Sequence, residues 1–192
     1  MHNYSITNTK IRITVISFIA VVSAYLSFML NSIISLLPLS LEPLSPFLIF
    51  GILFFIFDRC AWKIWPLNSL IKIPNFNGIW KGQCQTTSTN TNKKKSDMKI
   101  KIKQTFTKII VDAIFDNSHS ESFSADVDYN NPYRPKLIYS YLNKPQGSSV
   151  STMDKHLGTV EICINNLELC GDYFTDRQPQ TKGSFNLKKE ES

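Results

Sequence analysis

"MKIKIKQTF", residues 98–106, decides how the larger part of this chain is read. Met98, Ile100, Ile102, Gln104 and Phe106 fall on one side of a two-residue alternation, and Lys99, Lys101 and Lys103 on the other. Successive side chains of a strand point to opposite faces, so this period predicts a half-buried strand with a lysine-coated outside. Comparable runs lie on either side: "GIWKGQCQTT" (78–87), "KIIVDAIF" (108–115), "SESFSADVDY" (120–129), "KLIYSYLN" (136–143), "GTVEICIN" (158–165), "LELCGDYFT" (167–175) and "KGSFNLKK" (182–189). The links between them, "STNTNKKKS", "DNSHS", "NNPYRP", "NKPQGSS", "INN" and "DRQPQ", are rich in turn formers and short. Roughly eight consecutive strands with hairpin-length links predict an antiparallel meander. Closing it into a lipocalin-like barrel removes the exposed edges. A barrel of that size is filled by side chains or holds one small ligand.

Upstream the composition changes. Residues 13–37, "ITVISFIAVVSAYLSFMLNSIISLL", contain no charge and are long enough to cross a hydrocarbon core of about 30 Å. Pro38 stops that helix, and "PLSLEP" makes a polar turn. A second apolar run starts at Leu44 and, carried on through Asp58 and Arg59 to Trp65, approaches spanning length. Trp62, Lys63 and Trp65 sit where an interfacial belt is expected. The sequence therefore divides into a two-helix transmembrane hairpin with a short tether (1–74, helices at about 13–37 and 44–65) and a β-barrel domain (75–192). Lys10 and Arg12 precede the first span, Arg59, Lys63 and Lys72 follow the second, and the turn has no Lys or Arg. The positive-inside rule then places both termini in the cytoplasm of a multi-pass membrane protein. Asn31, inside the first span, is either an oligomer contact through an interhelical hydrogen bond or a tolerated polar residue near the far interface.

Net charge is +6, and residues 1–74 contribute five Lys/Arg against Glu42 and Asp58. Neither part is basic enough to point to a nucleic-acid polymer. Cys60, Cys84, Cys163 and Cys170 show no metal-ligand spacing and read as free thiols. There is no nucleophile–base order, paired-carboxylate motif or phosphate loop, so no enzyme, no catalytic residue, no metal and no cofactor is expected.

The order "NGIWKG", "IKIKQTFTKIIV", "SESFSA", "LIYSYLNKP", "HLGTVEI", "LCGDYFTDRQPQTKGSF", behind two apolar helices, resembles a family over essentially the whole chain. That family is the two-transmembrane, beta-strand-rich effectors of bacterial CD-NTase antiphage systems (CBASS). The resemblance implies a cyclic dinucleotide made by a CD-NTase as ligand of the barrel. It further implies assembly into a homo-oligomer, action on inner-membrane lipid by the helices, and abortive infection.

Such a ligand needs aromatic faces for its bases and cations or hydroxyl and amide donors for its phosphates. Trp80, Tyr139, Tyr141 and Tyr173 are strand-borne aromatics; Tyr139 and Tyr141 are either a stacking platform or core. Gln104 continues an apolar face, where an amide needs a partner, either a ligand or a neighbouring strand. Arg177 either clamps a phosphate or stacks on Trp80, and Lys182 lies near it. His156 begins a strand and is a candidate for phosphate or base. Thr86, Ser124 and Thr181 are further hydroxyl donors. The alternative reading is a membrane-anchored, lipocalin-like carrier for a lipid or other apolar molecule, which requires an apolar barrel interior. A filled barrel that docks a protein on its outside is a third.

Overall fold

The computed structural model describes residues 1–6, 9–36, 42–88, 91–131, 133–146, 154–165, 167–178 and 180–190. The chain forms two compact units, Met1–Thr7 together with Ile73–Ser192, and Asn8–Lys72. The first unit is an antiparallel eight-stranded barrel: β3 (Gly78–Ser88), β4 (Thr91–Gln104), β5 (Lys108–Phe115), β6 (Ser118–Asp128), β7 (Lys136–Pro145), β8 (His156–Asn165), β9 (Glu168–Thr175) and β10 (Lys182–Lys189). Each strand pairs with the next, and β10 returns onto β3 over Lys182↔Thr87 to Lys189↔Trp80. Two short strands from the start of the chain, β1 (His2–Asn3) and β2 (Ser5–Ile6), join β5 and β6. Residues 1–6 therefore fold with the barrel and not with the membrane part to which 1–74 was assigned. Six residues are too few to show a period, and their partners lie more than a hundred positions away.

The period of two in 98–106 is realised. Met98, Ile100, Ile102, Gln104 and Phe106 are all buried, while Lys101 and Lys103 are exposed and Lys99 is half-buried. The expected "STNTNKKKS" loop is mostly strand, because β4 starts at Thr91 and lengthens the hairpin with β3. Its sequence, "TNKKKS", is polar throughout, so no alternation announces it.

Adjacent strands run in opposite directions, and each changes character at one common end. Inward positions on β3 run Trp80, Cys84, Thr86; on β4, in reverse, Ile102, Ile100, Met98, Ser96; on β7, Leu137, Tyr139, Tyr141, Asn143. β6 carries Ser118, Ser120 and Ser122 toward the same end as Asn143, and Ala125 and Val127 toward the other. A bulge between Ser122 and Ser124 keeps both halves of β6 inward-facing. The barrel thus has a dry lower half and a polar upper half.

The second unit holds α1 (Thr9–Ile34), α2 (Pro46–Arg59), a 3₁₀ turn (Ala61–Lys63) and α3 (Leu67–Ile71). α1 has 26 residues and contains an uncharged apolar stretch, enough by length and composition to cross a membrane. α2 has 14 residues, about 21 Å at 1.5 Å per residue. The single helix expected over about 44–65 is therefore shorter than a span. Cys60 leaves helical geometry (φ −140), and Pro66 disfavours helix at Trp65. Asn31 is not an idle polar residue, because it has partners within its own unit. Its side chain accepts the Leu44 N–H (2.7 Å) and donates to the Leu44 carbonyl (3.1 Å), and Ser27 Oγ donates to the same carbonyl (2.6 Å).

Candidate functional site

The polar upper half of the barrel encloses an open-mouthed cavity of about 380 Å³, within the size range of small-molecule sites. Its walls come from seven strands and two loops. Tyr141 and Tyr173 supply aromatic faces; Ser118, Ser120, Asn143, Thr86, Thr175 and Thr181 supply hydroxyl and amide groups; Arg177, Gln178, His156 and Asn117 stand in the lining with them. A smaller void beneath it is lined by Met98, Ala113, Tyr139, Val160 and Phe185, which make an apolar floor.

Glycines fix the tyrosines. Tyr141 pairs across to Gly158, where a Cβ would lie 2.4 Å from the Tyr141 ring. Tyr173 pairs across to Gly183, where a Cβ would lie 2.6 Å from its ring and 2.4 Å from the Gln85 carbonyl. Each ring lies over a strand position that has no side chain, so the phenol crosses the barrel wall at a set height. The Tyr173 hydroxyl meets Thr86 Oγ1 at 2.5 Å. Thr175 and Thr181 hydroxyls pair at 2.7 Å, and Ser120 Oγ donates to Asn143 Oδ1 at 2.8 Å.

Burial pushes the Tyr141 and Tyr173 phenols above their ordinary range, so both remain neutral hydroxyls able to donate. Burial also lowers the His156 pKa, and the nearby Arg177 charge acts in the same direction. His156 Nδ1 lies 3.1 Å from the Asp154 carbonyl. A carbonyl only accepts, so Nδ1 carries the proton and the neutral ring presents Nε2 as an acceptor. The cavity therefore offers two neutral phenols, one guanidinium, a ring acceptor and a set of hydroxyls and amides, with the Asp116 carboxylate also in its lining. That combination suits a polyanionic, base-bearing molecule.

Of the residues singled out by sequence, Tyr141, His156, Tyr173 and Arg177 meet in this cavity, with Thr86 and Thr181. Tyr139 lies one layer lower, its ring 6.3 Å from that of Tyr141 and tilted by 54°, in the apolar floor. Trp80 and Gln104 are at the opposite end, fully buried. Trp80 Nε1–H donates to the Phe76 carbonyl (3.3 Å), and its ring is covered by Lys189, whose Nζ is 5.6 Å from the centroid. Lys189 therefore takes the place on Trp80 that the sequence offered to Arg177. Gly78, at φ +142, leaves room for it: a Cβ would come within 2.8 Å of Lys189 Cε. Lys182 is exposed on the outward side of β10, and Ser124 is exposed at the β6 bulge.

Sequence reasoning missed Ser118, Ser120, Asn143 and Thr175, all buried. Their signal is small polar residues at inward positions, at the end of odd strands and the start of even ones.

A model of the family described as "Cap15, cyclic dinucleotide receptor domain" matches residues 71–189. CD-NTase-associated protein 15 of Yersinia aleksiciae is 26% identical over 133 residues, covering 68% of this chain and 62% of that protein. The matched region thus spans less than two thirds of the relative's length.

Proposed function

The chain belongs to the Cap15 cyclic dinucleotide receptor family, and from that premise we propose that its barrel binds a cyclic dinucleotide made by a CD-NTase and acts as a CBASS effector. The observation that carries this reading is the convergence of Tyr141, Tyr173, His156 and Arg177 on the polar half of one barrel. Two bases stack on the phenol faces and present edge donors to His156 Nε2. The phosphates take the Arg177 guanidinium, with hydroxyls of Thr86, Thr175 and Thr181 beside it. A carrier for apolar molecules requires an apolar interior, and the buried Ser118, Ser120, Asn143 and Thr175 disfavour it.

The helical unit, Asn8–Lys72, is the membrane part of this effector, with α1 crossing the inner membrane and the barrel cytoplasmic. Lys10 and Arg12 in the first turn of α1 support that orientation. One hairpin cannot enclose a pore, so membrane disruption and abortive infection need several copies.

Calorimetry on the purified full chain in detergent, against a panel of purine and pyrimidine cyclic dinucleotides, tests the receptor reading. At least one member should give saturable heat and a thermal upshift, with its linear counterpart as control. No heat across the panel overturns it. Replacing 8–72 by a flexible linker, with residues 1–6 retained, should spare binding and abolish membrane depolarisation in cells producing the synthase.

A further inference from the structure

The barrel wall has a seam. β5 and β6 pair only at their hairpin end, from Phe115↔Ser118 to Asp112↔Glu121. Below that they part, and β1 and β2 occupy the opening, with His2↔Ile109 and Asn3↔Lys108 antiparallel on one side. On the other side Ser5↔Asp126 and Ile6↔Val127 are parallel. Ser122 marks the head of the opening: its Oγ accepts the Val111 N–H (2.9 Å) and lies 2.8 Å from His2 Nε2. Two side chains of the inserted segment are almost fully enclosed, Tyr4 and Ile6, each 2% exposed. The Tyr4 hydroxyl is 3.2 Å from both the Thr105 and Phe106 carbonyl oxygens, and Ser5 Oγ donates to Asp126 at 2.5 Å.

This opening is a strand-acceptor site of defined chemistry. It takes an extended segment through main-chain bonds on two edges, with an aromatic phenol at one position and an aliphatic side chain two residues on. We propose that the site takes residues 1–6 of a second copy of this chain, so that barrels in the assembled effector are joined by exchange of their first strands.

Four observations lead there. Apart from the His2 Nδ1 contact with the neighbouring Asn3 carbonyl, the contacts described for the segment are with the barrel, so an exchanged segment can make them as well. The acceptor survives emptying, because β5 and β6 remain joined at their hairpin end without it. An empty seam leaves two strand edges unpaired, which favours refilling by whichever copy of the segment is nearest. Finally, α1 begins at Thr9, so helices that gather in a membrane bring the first strands of neighbouring copies together. Each copy gives one segment and receives another, which closes as a dimer when the exchange is reciprocal and extends to a ring or row when it runs head to tail. The inference rests on the self-associating effector reading and not on the identity of the nucleotide.

Paired cysteines test it in the full chain. The background replaces Cys60, Cys163 and Cys170 by Ser and keeps the buried Cys84. Ser5→Cys and Asp126→Cys are placed in one chain, or in two chains with different C-terminal tags co-produced in one cell, with and without the cyclic dinucleotide panel. Under mild oxidation the single-chain pair should close within the chain, which verifies the seam. The two-chain pair should give a covalent heterodimer carrying both tags, several-fold above a control that pairs Ser5→Cys with Lys101→Cys on the outer face of β4. Intrachain closure with no heterodimer above that control, while sizing shows assembled protein, overturns exchange. An absence of assembled protein overturns it as well. Calorimetric heat judges the receptor reading separately, so the two can fail independently.

Discussion

The Gln104 side-chain amide and the Tyr4 hydroxyl meet 3.3 Å apart in the buried base of the barrel. Gln104 Oε1 accepts the Phe76 N–H at 2.9 Å, and Nε2 donates to the Pro74 carbonyl at 3.1 Å as well as toward Tyr4. One amide thus binds the first strand segment and the stretch that enters β3. Asn77 pairs with the Gln104 backbone on both sides, accepting its N–H (2.7 Å) and donating to its carbonyl (3.0 Å). A glutamine at an apolar position of a strand is explained by these partners, at the end of the barrel away from the cavity.

Gln104→Leu should therefore weaken folding and leave binding alone. It strands a buried N–H and a buried carbonyl, each a loss of about 1–3 kcal/mol, so unfolding free energy should drop by about 2–6 kcal/mol. Denaturant unfolding followed by tryptophan fluorescence measures the first quantity, and calorimetry on the folded protein the second. An unchanged midpoint, or a lost affinity in folded protein, contradicts the assignment.

Gly158→Ala should do the opposite. Its methyl lands on the Tyr141 ring, and relieving such overpacking costs about 1–3 kcal/mol or moves the ring. Ligand affinity should fall by about tenfold or more, while Tyr141→Phe, which keeps the ring and the glycine beneath it, should lose less. Equal affinity in Gly158→Ala and the parent would remove Tyr141 from the binding surface.

Arg177 is the one cation of fixed charge described in the cavity lining. Charge-assisted hydrogen bonds contribute about 1.5–3 kcal/mol, so Arg177→Ala should weaken binding by roughly 10–150-fold. It should also flatten the dependence of affinity on salt. Arg177→Lys keeps the charge without the planar fork and should fall between. A salt dependence identical in all three proteins would place the phosphates elsewhere.

His156 makes stability depend on pH with a defined sign. Burial holds its folded pKa below the ordinary 6.5, so the unfolded chain binds the proton first as pH falls. The contribution of neutral His156 is full above 6.5 and declines as pH drops from 6.5 to the folded value. Unfolding midpoints of the parent and His156→Asn, compared between pH 7.5 and 5, should converge or cross in that window. A parent that gains stability over the variant on acidification would reverse the sign and refute the burial argument.

Most of the barrel was legible because alternation survives wherever one face is apolar. The limits expected for 108–115 and 182–189 coincide with β5 and β10. Depth in the barrel was not legible. Trp80, Gln104, Tyr139 and Tyr141 all face inward, and only the alternating directions of their strands decide which reach the cavity. The first strands escaped for a different reason: "HNYSI" has a composition that fits any turn, and its pairing depends on a gap between β5 and β6 that no local pattern encodes.

That gap also has a consequence for manufacture. His2 and Ser122 are 120 positions apart, so the segment that completes the wall emerges first, and its second partner strand follows only after α1, α2, β3, β4 and β5. At about 5–20 residues per second the wait is on the order of 6–24 s. For most of it, until β5 is made, Tyr4 and Ile6 have no strand of the seam to lie against. The side of the barrel wall made earliest is closed last.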